Sequence, residues 1–305
     1  MTGTDRQIDI VRVARTRADC VLRPGEAFLG GGTFLRSGPV PAGVTGLVDL
    51  KGMGWEPWSV DGTGVRVGGM CTLEELATGP GALAAPSDPA QGSPMAPSGP
   101  YRALGIVHPW VSAVSLPPEV ARAATVGGNL ALGLPLGSVA GLFEVLHAHA
   151  LLWTPDGGSR EVAVADLVAG AGDVDLAPGE LLREVRVPAH VLEERTALRC
   201  ASLTSVGPPP VMVAGRTGTH APKVTITASV PAPQSIWVRD HGMLDRWMDS
   251  LDRDGIWFED THGTRAWRAA TTRRLAHEVF AELSGVSSFV LTCGGRASDG
   301  GTIKR

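Results

Sequence analysis

The sequence predicts an α+β protein with two domains, and two patterns of apolar residues support this fold class. Near the N-terminus, residues 8–13 alternate as a β-strand does, and after a helix-like stretch a second strand at 26–29 runs into a glycine turn. Another apolar run, at 47–50, follows at βαβ-like spacing. Beyond about residue 190, strand-like stretches precede two helical patterns, which is the order typical of an α+β domain.

A domain boundary is expected near the end of a strand pattern that stops at Pro188. The first domain is predicted to span residues 1–190, with lobes of about 1–55 and 56–190. The second is predicted to be a smaller α+β domain over residues 191–305.

The second lobe is expected to contain capped helices and short strands. Thr72 is placed to cap a helix because Glu75 lies three residues on as its capping-box partner, and Pro109 is expected to interrupt a helical pattern at 101–115. The other patterns predict a strand at 64–69, a surface connection at 79–100, a buried helix at 141–149, strands at 150–153 and 160–164, and a half-exposed strand at 181–187.

The C-terminal patterns predict strands first and helices afterwards. The strands are expected at 196–203, 211–214 and 224–230, the helices at about 240–252 and 263–284, and a mobile tail at 293–305.

Composition excludes one class of partner. The 305 residues are enough to bury a substantial core, but charged residues make up 19% and the formal net charge is -4. No broad cationic surface is expected to neutralise a run of phosphates, so we do not expect a nucleic-acid partner.

Residue spacing also argues against metals and membranes. The four cysteines, Cys20, Cys71, Cys200 and Cys293, are scattered, so no metal site or iron-sulfur cluster is expected within the chain. The closest histidines follow an i, i+2 spacing that does not share a helical face. The N-terminus lacks a continuous apolar stretch and no later run reaches membrane-spanning length, so we expect a cytoplasmic protein.

Two glycine turns are the strongest candidates for a binding site. Gly30, Gly31 and Gly32 lead into Thr33, and Thr125, Gly127 and Gly128 lead into Asn129. Glycine lets a backbone approach a pyrophosphate closely, and two such turns could hold one dinucleotide. Either run alone is more often a tight turn that binds nothing, and neither fits the GxGxxG pattern of a Rossmann site. The prediction therefore depends on the pair and its spacing.

Several segments, in order, resemble one known family. They read FLGGGTFL, LVDL, VRVGGMCTLEELA, ATVGGNL and PGELLREVRVP, beginning at residues 28, 47, 65, 124 and 178. This order is similar to that in the FAD-binding subunits of molybdenum hydroxylases of the xanthine dehydrogenase and carbon monoxide dehydrogenase type. The resemblance implies a two-lobed FAD-binding domain of the vanillyl-alcohol oxidase or PCMH type, followed by the smaller α+β domain.

The resemblance also implies which residues contact FAD. Around the pyrophosphate they would be Leu29, Gly30, Gly31, Gly32, Thr33, Phe34 and Leu35, with Thr125, Gly127, Gly128 and Asn129. Leu182 would lie against the flavin, and Arg199 occupies the position of a basic residue that approaches the isoalloxazine in relatives. Catalytic residues are not assigned.

The segment after the second glycine turn departs from the family pattern. Many members follow the second glycine turn with Ser-Pro and an aspartate, whereas this chain reads LPLGS and places Ser138 where the aspartate would be. A hydroxyl can still form a hydrogen bond to FAD, but without the contribution of a charge.

Three functions remain open at this stage. The first is an oxidoreductase subunit whose partners are a molybdenum-cofactor subunit and a 2Fe-2S subunit, which oxidise a small-molecule substrate. In this subunit, FAD passes electrons between these partners and an external acceptor. The second is a stand-alone FAD-dependent oxidoreductase of specialised metabolism. The third is a non-enzymatic binding module that has lost FAD.

Overall fold

The first part of the fold is a small parallel sheet. The computed structural model describes residues 8–37, 40–84, 99–205 and 207–285. Strand β3 lies between β1 and β2, and the helix-like stretch predicted between β1 and β2 is a single 3-10 turn at Arg17–Cys20. The elements are β1 (Ile10–Val13), β2 (Glu26–Leu29), α1 (Thr33–Ser37) and β3 (Gly46–Asp49).

A five-stranded antiparallel sheet forms the second part, in the order β4-β5-β10-β6-β7. A two-stranded ribbon of β8 and β9 accompanies it. The strands are β4 (Trp58–Asp61), β5 (Gly64–Gly68), β6 (His149–Trp153), β7 (Ser159–Ala163), β8 (Val168–Gly170), β9 (Asp173–Val174) and β10 (Leu181–Pro188).

Strand β10 confirms the half-exposed strand predicted at 181–187, since its apolar residues are buried and its charged residues are partly exposed. It lies in the centre of the sheet, paired with β5 on one side and β6 on the other, and Leu181, Leu182, Val185 and Val187 are buried. Arg186 and Glu161 pair on the other face with side chains 41% and 46% exposed, so this antiparallel sheet meets solvent on one side.

Seven α-helices belong to this second part among the described residues: α2 (Leu73–Thr78), α3 (Val107–Val114), α4 (Pro118–Ala121), α5 (Val126–Ala131), α6 (Ala140–Val145), α7 (Val164–Leu167) and α8 (Ala189–Leu192). The capping box at α2 is confirmed, since the Thr72 hydroxyl accepts from the Glu75 N–H and the Thr72 N–H donates to the Glu75 carboxylate. Pro109 does not interrupt a helix, because it lies in the first turn of α3, where no intrahelical donor is lost.

The C-terminal part is a four-stranded antiparallel sheet with two helices, as the strand-then-helix pattern predicts. The strands pair in chain order, and the fourth was not foreseen. The elements are β11 (Thr196–Ala201), β12 (Val211–Arg216), β13 (Lys223–Thr227), β14 (Gln234–Trp237), α9 (His241–Asp254) and α10 (Arg265–Ser284). The predicted tail at 293–305 and most of the connection at 79–100 lie outside the described residues.

The C-terminal sheet joins two hydrophobic cores. Met212 and Ala214 of β12 pack into the large core around Trp110 and Phe143, which also holds the five-stranded sheet and its helices. The alternate residue Val213 packs into a second core with α9 and α10. The sheet therefore contacts the preceding part of the chain on one face and its own helices on the other.

No helix among the described residues is long and apolar enough to cross a membrane.

Candidate cofactor-binding site

The first glycine turn lies at the carboxyl end of β2. Strand β2 ends at Leu29, and Gly30, Gly31 and Gly32 connect it to α1, with Gly32 at a φ of 70° that favours glycine. Within the described residues, the N–H groups of these three glycines have no hydrogen-bond partner. The turn thus offers three neighbouring backbone donors, the arrangement that a phosphate oxygen requires.

The structure brings the two glycine turns into contact. A β carbon on Gly30 would lie 2.8 Å from the Thr125 hydroxyl oxygen, and one on Gly31 would lie 1.5 Å from the Ala123 carbonyl oxygen. Only a residue without a side chain allows the first turn to approach the second this closely. The contact joins residues more than ninety positions apart, which the sequence pattern alone could not establish.

Thr125 shapes the second turn as the N-cap residue of α5. Its hydroxyl accepts from the Gly128 N–H at 3.1 Å, and its carbonyl accepts from the Asn129 N–H at 2.9 Å. An extended backbone before a threonine cap is the usual start of a helix.

Gly127 and Gly128 have different surroundings. The Gly127 N–H donates to the Gly69 carbonyl at 2.8 Å, and a β carbon on Gly127 would lie 2.7 Å from that oxygen. A β carbon on Gly128 would meet only the Thr125 hydroxyl, at 3.0 Å, within 4 Å. Gly127 therefore fits a packed contact inside the protein, whereas Gly128 borders open space through which a ligand could approach.

The donors at the site come mainly from the first turn. In the second turn, the N–H groups of Gly127, Gly128 and Asn129 are all used within the protein. The Thr125 hydroxyl accepts one hydrogen bond and keeps its own proton for donation. This division between a donor turn and a shape-forming turn is not visible in the sequence.

Asn129 and Ser138 hold the loop that departs from the family pattern. The buried Asn129 amide donates to the Gly137 carbonyl at 2.9 Å and accepts from the Val139 N–H at 2.9 Å. The Ser138 hydroxyl accepts from the Ala140 N–H at 3.1 Å at the start of α6. Both side chains, expected at the cofactor, thus have a structural partner, although each keeps one free donor.

The remaining residues of the first turn lie on either side of its three glycines. Phe34 is 44% exposed on α1, and the Leu29 side chain lies beside Gly32, where a β carbon would be 3.3 Å from its Cδ1 atom. Thr33 and Leu35 are partly buried.

Leu182 lies in the large core. Its side chain is 5% exposed and packs with the helices that cover the five-stranded sheet. The next residue, Arg183, forms a β-bulge opposite β6, and its carbonyl accepts from the Gly69 N–H at 2.8 Å. The backbone of β10 is thereby connected through Gly69 to the second glycine turn, but the Leu182 side chain is surrounded by protein.

Arg199 lies on the helix-facing side of β11. Its guanidinium contacts Glu282 at 2.5 Å and Glu278 at 3.7 Å on α10, while the neighbouring Leu198 packs on the opposite face against the large core. The described contacts connect Arg199 to the C-terminal helix, and the structure does not bring it together with the glycine turns.

Gly69 is the residue of this site that the sequence reasoning missed. It links Gly127 to Arg183 through its carbonyl and its N–H, both at 2.8 Å. A β carbon there would lie 2.3 Å from the Leu182 carbonyl oxygen. The signal was the glycine pair that ends the strand pattern at 64–69, since paired glycines after a strand often mark a close backbone approach.

Cys71, near the second glycine turn, has a protonated thiol, and the described residues form no cluster of metal ligands. Burial raises the pKa of Cys71 to about 12, so the thiol stays protonated. Within the parts of the chain that the structure describes, no group of three or more His, Cys, Asp or Glu side chains is arranged to hold a metal ion.

Comparison with known proteins places this site in a family. Residues 42–190 match the family described as the FAD binding domain in molybdopterin dehydrogenase. This part of the chain belongs to that family. The match includes the second glycine turn, and the first turn, which precedes residue 42, joins it through the contact with Ala123 and Thr125. FAD, the cofactor expected from the sequence, is confirmed as the cofactor of the family.

A curated relative is similar to a short segment of this chain. The carbon monoxide dehydrogenase medium chain of Afipia carboxidovorans is 38% identical over 71 residues, which are 23% of this chain and 24% of that protein. The aligned segment thus spans about a quarter of the relative.

The solved structures extend the likeness over most of the chain. A Cu,Mo-CO dehydrogenase in its cyanide-inactivated form matches with a TM-score of 0.73 and 22% identity, covering 91% of this chain and 98% of that one. Quinoline 2-oxidoreductase from Pseudomonas putida 86 matches with a TM-score of 0.69 and 19% identity over the same shares. The α+β fold expected from the sequence is confirmed.

Proposed function

We propose that this chain is the FAD-binding subunit of a molybdenum hydroxylase and passes electrons between a molybdenum and 2Fe-2S partner and an external acceptor. The observation that carries the proposal is the contact of the first glycine turn with Ala123 and Thr125, which assembles two separated turns into one cradle. Bound FAD would supply the electron-carrying chemistry.

The residues of the cradle would have different roles in binding FAD. The N–H groups of Gly30, Gly31 and Gly32 would donate to the pyrophosphate, since they have no other partner in the described residues. Gly128 would allow close approach, and the Thr125 hydroxyl would donate from the second turn. Asn129 and Ser138 would keep the 134–139 loop in place and contribute their remaining donors.

The other residues expected near FAD would mainly support the cradle. Leu29, Thr33, Phe34 and Leu35 would wrap the first turn around the pyrophosphate. Leu182 would support the site from the core, and Gly127 from its contact with Gly69. For Arg199, replacement by Gln should leave the bound flavin spectrum unchanged if its contacts with α10 are its whole role.

The partner proposal is supported by the names of similar proteins. The curated relative is named as a medium chain of carbon monoxide dehydrogenase, and structures of the same fold are named as Cu,Mo-CO dehydrogenase. Both names describe those proteins, and their application to this chain is part of the proposal.

Two measurements test the proposal. The purified chain should carry FAD or bind it when added, as shown by flavin absorbance. A protein that remains colourless would contradict both flavoenzyme functions and favour the non-enzymatic binding module. Tagged chain isolated from its native cells should bring down subunits containing molybdenum and a 2Fe-2S cluster. If the isolated chain instead carries FAD without molybdenum or a 2Fe-2S cluster, and a small molecule reduces that flavin directly, the protein is the stand-alone oxidoreductase.

A further inference from the structure

Three histidines meet where the five-stranded sheet faces the C-terminal sheet. His147 lies between α6 and β6, His149 begins β6, and His190 lies on α8. The His147 ring centroid is 5.4 Å from that of His149 and 6.0 Å from that of His190, both in edge-to-face contact. We call these three residues the histidine seam.

Two ion pairs lie beside the histidine seam. The Lys223 ammonium on β13 contacts the Glu144 carboxylate on α6 at 2.6 Å, and Ser235 donates to the same oxygen at 2.8 Å. The Arg216 guanidinium on β12, whose side chain is 4% exposed, contacts Glu194 at 2.6 Å. The first pair joins α6 to β13 of the C-terminal sheet, and the second joins β12 to the segment that follows α8.

The charges facing the seam are balanced only while the imidazoles are neutral. Lys223 and Arg216 are matched by Glu144 and Glu194. On β10, Arg186 lies opposite His149, and Arg183 and Arg186 together are paired with Glu161 and Glu184. In the described residues none of the three imidazoles has a hydrogen bond or ion pair of its own, so each added proton would be an uncompensated positive charge.

His147 is the most constrained member of the seam. It adopts a φ of 52°, which non-glycine residues rarely adopt. Burial lowers its pKa, and the positive charges of Arg216 and Lys223 lower it further. The folded arrangement therefore favours a neutral ring, and protonation works against that arrangement.

We propose that the histidine seam is an acid-sensitive latch, which holds the C-terminal sheet against the five-stranded sheet at neutral pH and loosens it when the imidazoles gain protons. The cause is repulsion between imidazolium and the cations of β12 and β13. The proposal does not depend on FAD or on partner subunits.

Hydrogen exchange of peptides covering β12 and β13 tests the latch in the full chain, after correction for the intrinsic effect of pH. Imidazole gains its charge between about pH 8 and about pH 5, so the comparison is between about pH 7.5 and about pH 5.5. A triple variant, His147→Asn, His149→Gln and His190→Gln, removes the titration, and asparagine tolerates the left-handed backbone at 147. A control variant carries His241→Gln and His277→Gln, a histidine pair between α9 and α10.

In the wild type and the control, exchange of β12 and β13 should rise at the lower pH. The rise should be about tenfold for each pKa unit by which imidazole binds protons more weakly in the closed form than in the open form. In the triple variant, exchange should change little with pH. An equal rise in the triple variant, or no rise in the wild type, would overturn the latch. If the triple variant does not fold, His147→Asn alone decides, because it removes the ring that faces Arg216 and Lys223 and should abolish most of the rise.

Discussion

Gly31 packs directly on the carbonyl oxygen of Ala123, and a β carbon at residue 31 would be 1.5 Å from that oxygen. No side-chain rotation can relieve such a contact, because both groups belong to the backbone. The small parallel sheet and the second lobe are thus joined at the point where the cofactor is proposed to bind. The contact is made entirely by atoms of the protein, so its loss should be measurable without FAD.

Replacing Gly31 by Ala should therefore destabilise the FAD-free protein as well as weaken FAD binding. Forcing a backbone shift in a packed contact typically costs about 1–3 kcal/mol, and this contact should be at or above the upper end. Denaturant unfolding and FAD titration measure the two effects. Gly62→Ala is the matched control, because a β carbon there has no neighbour within 4 Å. A stable Gly31→Ala protein that binds FAD normally would show that the turns are not joined as described.

Gly127 and Gly128 should respond differently to the same substitution. Gly127→Ala pushes a methyl group against the Gly69 carbonyl and should lower the free energy of unfolding by about 1–3 kcal/mol, with or without FAD. Gly128→Ala places its methyl group where the cofactor would approach, so it should reduce FAD affinity by about tenfold or more, equivalent to about 1.4 kcal/mol, and barely change the stability of the FAD-free protein. The reverse order of effects would refute the assignment of roles within the second turn.

Asn129 should act on FAD through the loop that it holds. Asn129→Ala leaves the partly buried Gly137 carbonyl and the buried Val139 N–H without their side-chain partner, at a cost of about 1–3 kcal/mol. Asn129→Asp keeps the acceptor for Val139 but loses the donor to Gly137. If positioning of the loop is what matters, both variants should lose FAD affinity in proportion to their loss of stability. A variant of normal stability with much weaker FAD binding would instead indicate direct contact with the cofactor.

Local signals in the sequence were sufficient for much of the fold. The Thr72 and Glu75 capping box, the glycine turns and the strand-then-helix order of the C-terminal part depend on neighbours within a few residues, and the structure has all three. Pro109 was misjudged because its effect depends on where the helix begins, which a proline alone does not reveal.

Long-range contacts account for what the sequence could not provide. The division of donors between the turns depends on Gly69, whose partners Gly127 and Arg183 are distant in the chain. The sequence also could not show that Arg199 pairs with α10, because the face of β11 on which it lies is set by the register with β12 and by the packing of α10. Neither register nor packing can be read from one strand.

The pairing of Arg12 with Glu26 should make the small parallel sheet sensitive to acid. The Arg12 guanidinium donates to both carboxylate oxygens, at 2.8 and 2.7 Å, and lowers the pKa of Glu26 to about 2. Because the folded pKa lies below the unfolded value, this stabilisation is fully present above about pH 4.5 and is lost as the pH falls towards about 2.

In Glu26→Gln, the unfolding free energy should depend less steeply on pH over this range than in the wild type. Other carboxylates titrate in both proteins, so the difference between the two curves isolates Glu26. Parallel curves would show that the pairing does not survive in solution.

The buried pair of Glu144 and Lys223 should be more sensitive to losing one partner than to losing both. The ammonium and the carboxylate are 2.6 Å apart, with side chains only 14% and 8% exposed. Glu144→Gln leaves the Lys223 charge buried without its counter-ion and should cost about 3 kcal/mol of unfolding free energy. The double variant Glu144→Leu, Lys223→Met removes both charges and should recover most of this loss, because two buried ions also lose their hydration. Glu259→Gln in the exposed pair with Arg265, at 3.5 Å, is the control and should cost less than about 1 kcal/mol. Denaturant unfolding at neutral pH measures all three variants, and a double variant no more stable than Glu144→Gln would mean that the pair, and not the burial of a lone charge, supplies the stability.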